Sequence, residues 1–233
     1  MRAQDQWLCL WSGPVFIALL FIFFWGCAGF IPPPAPTLSA DEVVAFYNAN
    51  LGRIRLGLAM SLLASGLLVP FTAVITTQMR RISGIGPTLA YTQLGAGSVN
   101  VMVFVLPYLI FAAASFRPQR SPELTLLLHE FGWLSFIMAV PLAIIQVFAF
   151  GAAVLMDKSA APIYPRWSAY LSLWTGFLFV PASITLFFKQ GPFAWNGLFA
   201  IWIPLAVFTA WFVALFVLTA KAIRRQEREG QVP

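Results

Sequence analysis

The two neighbouring side chains best suited to acid–base chemistry are His129 and Glu130. An imidazole beside a carboxylate can relay protons or bind a polar head group. Adjacent positions on a helix point about 100° apart, however, so the two side chains need not converge on one substrate. The chain continues with Phe131, Gly132 and Trp133 and so lacks the second histidine of an H-E-x-x-H zinc helix. A lipid-modifying membrane enzyme with Glu130 and His129 as acid and base is therefore the least favoured of three hypotheses.

These two residues belong to a larger polar cluster that we expect at one membrane face. Unpaired charge near a low-dielectric medium is costly, so we expect ion pairs among its members, with a site for a ligand head group as the alternative. The cluster comprises Arg53, Arg55, Arg117, Arg120, Glu123, His129 and Glu130.

Two amide side chains, Asn100 and Gln146, fall inside long apolar segments. Water is absent there, so each amide needs a hydrogen-bond partner, and bonds between helices are the default expectation. A shared polar pocket for a ligand is the alternative. Such a pocket would suit a small facilitator or channel for an apolar or neutral solute, our second hypothesis.

The missing residue types exclude several function classes. The chain has one histidine and no carboxylate within an apolar segment. Bis-histidine haem and di-iron sites need more ligands than this, and proton-coupled pumps usually carry ionisable groups inside the membrane. No G-x-x-x-x-G-K-[ST] loop for ATP is present either. We therefore expect no cofactor and no metal site, and these absences favour a non-enzymatic role.

Apolar segments fill most of the chain and must position these residues. Of the 233 residues 60% are hydrophobic and 9% charged, with a mean hydropathy of +0.83. A spanning helix needs about 20 apolar residues. The sequence thus predicts one all-α membrane domain over residues 1–233, a polytopic bundle. Six spans are predicted, at about 8–30, 54–77, 89–115, 131–155, 168–188 and 196–219.

The basic residues predict how the bundle is oriented. If both ends are cytoplasmic, nine Lys and Arg lie on the cytoplasmic side and five on the other, as the positive-inside rule requires. Four of the nine lie in a basic cytoplasmic tail at 220–233. No dense basic patch interleaved with aromatic residues occurs, so nucleic acid is not an expected partner.

The first loop, residues 31–53, is proline-rich and extracytoplasmic in this topology. Its Pro32–Pro36 stretch favours extended geometry, which would space the following residues away from the bilayer. Ser39 with Glu42 forms a capping-box pattern, so a short amphipathic helix should follow. That helix either provides a docking platform or closes over the mouth of the bundle.

Two sequence features of the spans concern packing. Every span contains a proline, which can bend its helix. Gly57, Ser61 and Ser65 recur at intervals of four and permit close helix contacts, either inside the bundle or with another chain. The six prolines are Pro14, Pro70, Pro107, Pro141, Pro181 and Pro204.

Three polar islands separate the spans: Gln78 to Ile82, Arg117 to Leu124 and Lys189 to Gly197. They resemble features of a family of bacterial, actinobacterial-type multi-pass membrane proteins to which no activity is assigned. The resemblance implies a bacterial cytoplasmic (inner) membrane and brings no catalytic residues.

Small packing residues, short loops and sparse polarity favour a leading hypothesis. We expect a non-enzymatic accessory or scaffold subunit of a larger inner-membrane complex, with membrane lipids and other membrane subunits as partners. A lipid or steroid transport system is the favoured host, because an apolar, bent bundle accommodates acyl chains without charged residues.

Overall fold

The computed structural model describes residues 4–230 and is an all-helical bundle. Six helices are long and apolar enough to cross a membrane, which confirms the predicted multi-pass fold. They are α1 (Gln4–Cys27), α3 (Leu51–Met79), α4 (Thr88–Phe116), α5 (Pro122–Met156), α6 (Arg166–Phe187) and α7 (Leu198–Glu229), and a shorter helix, α2, covers Ala40–Ala49.

An even number of crossings brings the two ends of the described chain to one side of the bundle. We call that side the terminal face and the opposite side, where α2 lies, the cap face. At 1.5 Å per residue, the 32 residues of α7 measure about 48 Å, against about 30 Å for a bilayer core. The predicted basic tail is therefore helical up to Glu229 and continues α7 beyond the membrane.

All six spanning helices depart from regular α-geometry near their middle or at their cap-face end. Short turns interrupt α3 at 66–67 and α4 at 100–101. Residues Leu20–Cys27 of α1 and Leu198–Trp202 of α7 are π-helical, and Val180–Phe187 of α6 is a 3₁₀-helix. In α5, the helix is interrupted at 139–140, just before Pro141. Proline lacks a backbone N–H and clashes with the preceding turn, which accounts for the departures next to Pro141, Pro181 and Pro204.

The cap face is closed by α2 and the loops around it. The predicted capping box of α2 is confirmed: the Ser39 amide donates to Glu42 Oε2 at 2.8 Å, and the Glu42 amide donates to Ser39 Oγ at 3.3 Å. These backbone and side-chain bonds from Ser39 hold the pKa of Glu42 below its ordinary value. Rather than standing away from the bilayer, α2 packs on α5 with Val43 and Tyr47 buried.

The terminal face is held by a network of amide side chains. Buried Gln78 of α3 donates to Gln6 of α1 at 2.5 Å and to Gln226 of α7 at 2.8 Å. Arg81 then donates to Gln78 at 2.6 Å and forms an ion pair with Glu229 at 2.6 Å. The first and last helices are thereby tied together through α3.

The small residues of α3 lie inside the bundle. Gly57 is buried against the π-helical end of α1, where an added Cβ would meet Phe23 O at 2.6 Å and Ala28 Cβ at 2.7 Å. Ser61 and Ser65 are also buried, and the Ser65 hydroxyl donates to the Ser61 carbonyl at 2.9 Å. The close-packing face is thus used between helices of the same chain.

Candidate apolar binding site

A cavity of about 150 Å³ lies among the departures from regular helix geometry. It extends along α7 from Ala200 to Phe208, a distance of about 12 Å. Its walls come from α1, α4, α5, α6 and α7. The lining residues are Leu20, Phe21, Phe24, Trp25, Ile31, Asn100, Val103, Phe104, Phe136, Ile137, Ala139, Val140, Ala143, Phe179, Ala182, Ala200, Ile201, Pro204, Leu205 and Phe208.

The irregular helical segments create this space. The interruption of α5 contributes Ala139 and Val140, the 3₁₀ segment of α6 contributes Ala182, and the π-helical start of α7 contributes Ala200. Three of these four side chains are only a methyl group. The bends and the small side chains together leave the space unfilled.

The cavity reaches the side of the bundle between α1 and α7. Residues Gln4–Leu19 of α1 pack against both α3 and α7, whereas Leu20–Cys27 pack on α3. Near the terminal face Trp11 and Phe216 are in edge contact, with ring centroids 5.3 Å apart. Towards the cap face Phe21 and Trp25 line the cavity while remaining 40% and 37% exposed. The two helices therefore diverge towards the cap face and leave a lateral opening.

The structure places the two intramembrane amides in different environments. Asn100 lines the cavity at a short interruption of α4, and its Oδ1 atom is buried without a hydrogen-bond partner. Gln146 does not line the cavity. It packs on Gly97, where an added Cβ would lie 2.5 Å from Nε2 of Gln146. A role for either residue in ligand binding stays a prediction.

The cap-face arginines bind helix ends. Arg55 donates to the carbonyls of Ser115 at 2.7 Å and Phe116 at 2.9 Å, in the last turn of α4. Arg53 donates to Gly26 of α1 at 3.1 Å, and Arg120 donates to Ala113 of α4 at 2.7 Å.

The ion pairs expected in this cluster are therefore not formed. In residues 4–230 the two ion pairs both involve Glu229, at the terminal face. Arg117 and Glu123 are exposed, and Glu130 is half-buried. The last four carbonyls of a helix have no intrahelical donor and carry partial negative charge, so they attract guanidinium groups as carboxylates do.

His129 lies in a cage of aromatic rings beneath α2. It is 1% exposed, and its Nδ1 atom is 3.2 Å from the hydroxyl of Tyr47. The rings of Phe46, Tyr47, Phe111, Trp133 and Trp195 have centroids 5.7 to 6.3 Å from its own. Within the described chain no hydrogen bond or ion pair joins His129 to Glu130, so the two are not assembled as an acid–base pair.

A further contact fixes the loops above this cage. The Trp195 indole N–H, in the loop between α6 and α7, donates to the carbonyl of Pro34 at 2.7 Å. The proline-rich loop is thereby joined to another loop far along the chain. Sequence reasoning missed this contact and also the glutamine network of the terminal face. The sequence does contain a signal for that network: Gln6, Gln78 and Gln226 each lie near the terminal-face end of a spanning helix.

Comparisons with family models, with curated proteins and with solved structures find no match to this chain. The resemblance of its polar islands to bacterial multi-pass proteins therefore stays a prediction.

Proposed function

We propose that this chain binds the apolar part of a membrane lipid and acts as a non-enzymatic subunit of a larger lipid-handling assembly, in a bacterial inner membrane. The observation that carries the proposal is the apolar cavity with its opening between α1 and α7. In the topology that the charges predict, the opening faces the outer leaflet.

The size and lining of the cavity support a hydrocarbon ligand. An engineered protein cavity of about 150 Å³ lined by apolar residues stays dry and binds benzene. The space opens to the side of the bundle, so an acyl chain can enter it from the bilayer and contact its apolar walls. No charged residue lines the space, so a chain meets no desolvated charge there.

The lipid-facing surface of α6 supports the subunit role. Trp167, Tyr170, Trp174 and Phe177 recur at helical spacing and are all more than half exposed. Tryptophan and tyrosine normally gather at the membrane interfaces. Trp174 instead lies about 12 Å along α6 from Arg166, and it is 65% exposed. An indole N–H at this depth is better satisfied by another protein subunit than by acyl chains.

The facilitator hypothesis lacks a comparable observation. Apart from the indole of Trp25, Asn100 is the single polar side chain among the residues that line the cavity. Gln146 lies elsewhere, so the two amides do not line a common path. We do not put this function forward.

Photolabelling tests the binding role. Purified protein in nanodiscs is labelled with a phospholipid that carries a diazirine on its acyl chain, and the modified peptides are mapped by mass spectrometry. We expect labels on cavity residues of α1 and α7. In the Ala143→Phe variant, which fills the cavity, this labelling should fall several-fold.

Ala206→Phe is the matched control, because Ala206 is exposed on α7 and does not line the cavity. It adds the same ring to the lipid-facing surface and should leave the labelling unchanged. Equal labelling of cavity peptides in wild type and Ala143→Phe would refute the binding role.

For the subunit role, purification in a mild detergent from the native host should yield stoichiometric partners. A Trp174→Leu variant should lose them, and a protein that always purifies alone would count against this part.

A further inference from the structure

The terminal-face end of α7 carries four basic residues, which differ in what they contact. Arg225 faces the bundle and donates to Glu229 at 2.6 Å and to a carbonyl of the loop before α6 at 2.9 Å. Lys221, Arg224 and Arg228 are exposed, and within the described chain their side chains make no hydrogen bond or ion pair. Three cations therefore point away from the bundle.

These three residues continue a stripe along the outer side of α7. Positions three and four apart lie on one face of a helix, and the exposed residues at this spacing are Ala206, Ala210, Val213, Val217, Lys221, Arg224 and Arg228. The stripe is apolar up to Val217 and basic from Lys221, which is the first charged residue of α7. Lys221 lies about 35 Å along the helix from Leu198, against about 30 Å for a bilayer core. The stripe thus becomes basic where the hydrocarbon layer ends.

Lys221 and Arg224 lie at the depth of phospholipid head groups. A bilayer measures about 40–45 Å with its polar layers, so each polar layer is about 5–8 Å thick. Arg224 lies about 4.5 Å beyond Lys221 along the helix axis, and Arg228 lies about 10 Å beyond it. The first two can meet a phosphate while the acyl chains of the same lipid lie along Val213 and Val217.

A neighbouring helix positions Arg224. Its guanidinium lies over the ring of Trp7 in α1, with Cζ 5.7 Å from the ring centroid. The Trp7 indole N–H in turn donates to Glu227 at 3.0 Å. Stacking on a ring leaves the N–H groups of the guanidinium free to bind phosphate oxygens.

The acidic residues of the terminal face do not neutralise this stripe. In residues 4–230 that face has eight Lys and Arg against four Asp and Glu. Glu229 is paired with two arginines, Asp157 is buried, and Glu227 accepts the Trp7 indole. Asp5 is exposed at the start of α1. Charge complementarity therefore favours an anionic partner.

We infer that Lys221 and Arg224 bind the head group of an anionic phospholipid in the leaflet at the terminal face. Basic residues next to a spanning helix are attracted to anionic lipids, by about fivefold in affinity for each residue. This site is separate from the apolar cavity, because Lys221 lies about 20 Å along α7 from Phe208, the cavity residue nearest to it on that helix. The inference does not rest on the proposed function.

Lipid titration followed by native mass spectrometry tests the inference on the full chain in detergent. Phosphatidylglycerol and phosphatidylcholine with identical acyl chains share the phosphate, but choline cancels its charge. We expect wild type to bind phosphatidylglycerol about twentyfold more tightly, as two basic residues imply. The preference should shrink at high ammonium acetate, because salt screens exposed charges. An excess of inorganic phosphate should not displace the lipid, since it lacks the acyl chains.

Two double variants that remove equal charge locate the site. Lys221→Gln with Arg224→Gln should abolish the preference for phosphatidylglycerol. Arg117→Gln with Lys189→Gln changes two exposed residues of the cap face and should keep it.

Equal binding of the two lipids to wild type would overturn the inference and favour an acidic segment of a partner subunit as the occupant. Displacement by inorganic phosphate would also overturn it, in favour of a soluble phosphate ligand. Either result leaves the proposed function of the cavity standing. The wild-type comparison decides the question even if a variant does not fold.

Discussion

Replacing Gly57 by alanine tests the contact between α1 and α3. The new Cβ would lie 2.6 Å from Phe23 O, 2.7 Å from Ala28 Cβ and 2.8 Å from Ala28 N. Two of these three atoms are backbone, so no side-chain rotation relieves the overlap. The helices must separate, and overpacking of this kind costs about 1–3 kcal/mol.

The opposing effect is helix propensity, for which alanine gains up to about 1 kcal/mol over glycine. Gly95→Ala isolates that gain, because Gly95 is exposed on α4 and an added Cβ meets nothing within 4 Å. We expect Gly95→Ala to raise the free energy of unfolding by up to about 1 kcal/mol. Gly57→Ala should lower it by up to about 2 kcal/mol, which is the overpacking cost less the propensity gain.

Unfolding by SDS in mixed micelles, followed by far-UV circular dichroism, measures both variants against wild type. The gap between them, about 1–3 kcal/mol, is the overpacking cost alone. For a chain of this size, each kcal/mol of lost unfolding free energy lowers the Tm by about 2–4 °C. Equal unfolding free energies for the two variants would show that α1 does not approach α3 as described.

Three other perturbations have expected outcomes at the cap face. Tyr47→Phe deletes the hydroxyl that meets Nδ1 of buried His129 and should lower the free energy of unfolding by about 1 kcal/mol in the same titration. Ser39→Ala removes the capping box and should speed hydrogen exchange throughout α2. Because the folded pKa of Glu42 lies below its ordinary value of 4.5, the box stabilises α2 above that pH and loses its effect as the pH falls through the folded pKa. Arg55→Leu frees the last carbonyls of α4 and should speed exchange in its final turn.

Matched variants make these outcomes specific. Tyr91→Phe removes an exposed hydroxyl and should leave the unfolding free energy unchanged. Arg117→Leu removes an exposed arginine without a side-chain hydrogen bond in the described chain, so α4 should exchange as in wild type. The capping-box interpretation fails if α2 of the wild type keeps its full protection at acidic pH, or if Ser39→Ala exchanges no faster at neutral pH.

The helices and the capping box could be predicted because their signals are local. Apolar length alone identifies the spans, and Ser39 and Glu42 are three residues apart on one turn. The cavity could not be predicted in this way. Its walls come from five helices, and whether a proline makes a bend, a 3₁₀ segment or an interruption depends on the helices packed against it.

The two intramembrane amides show the same limit. Asn100 and Gln146 are equally polar and equally deep in sequence terms, yet one lines the cavity and the other packs on Gly97. Which of the two amides faces the cavity depends on how each helix is rotated about its own axis. A sequence that is apolar on all sides of the helix does not specify that rotation. The expectation that the cap-face arginines pair with carboxylates was wrong for a similar reason. Every residue has a backbone carbonyl, but only the carbonyls at the end of a helix lack an intrahelical donor and are free to bind an arginine. The sequence does not show which helix end each arginine will meet.

The glutamine network of the terminal face has a consequence for biogenesis. Its partners Gln6 and Gln226 lie on the first and the last helix to leave the ribosome, so the bonds of Gln6 and Gln78 to Gln226 cannot form until α7 has been inserted. Until then α1 packs on α3 without α7, and the apolar site lacks the wall that α7 supplies. A nascent chain stalled before α7 would be a natural substrate for membrane quality control, because Gln78 would still lack the partner on α7 and the apolar site would lack one wall.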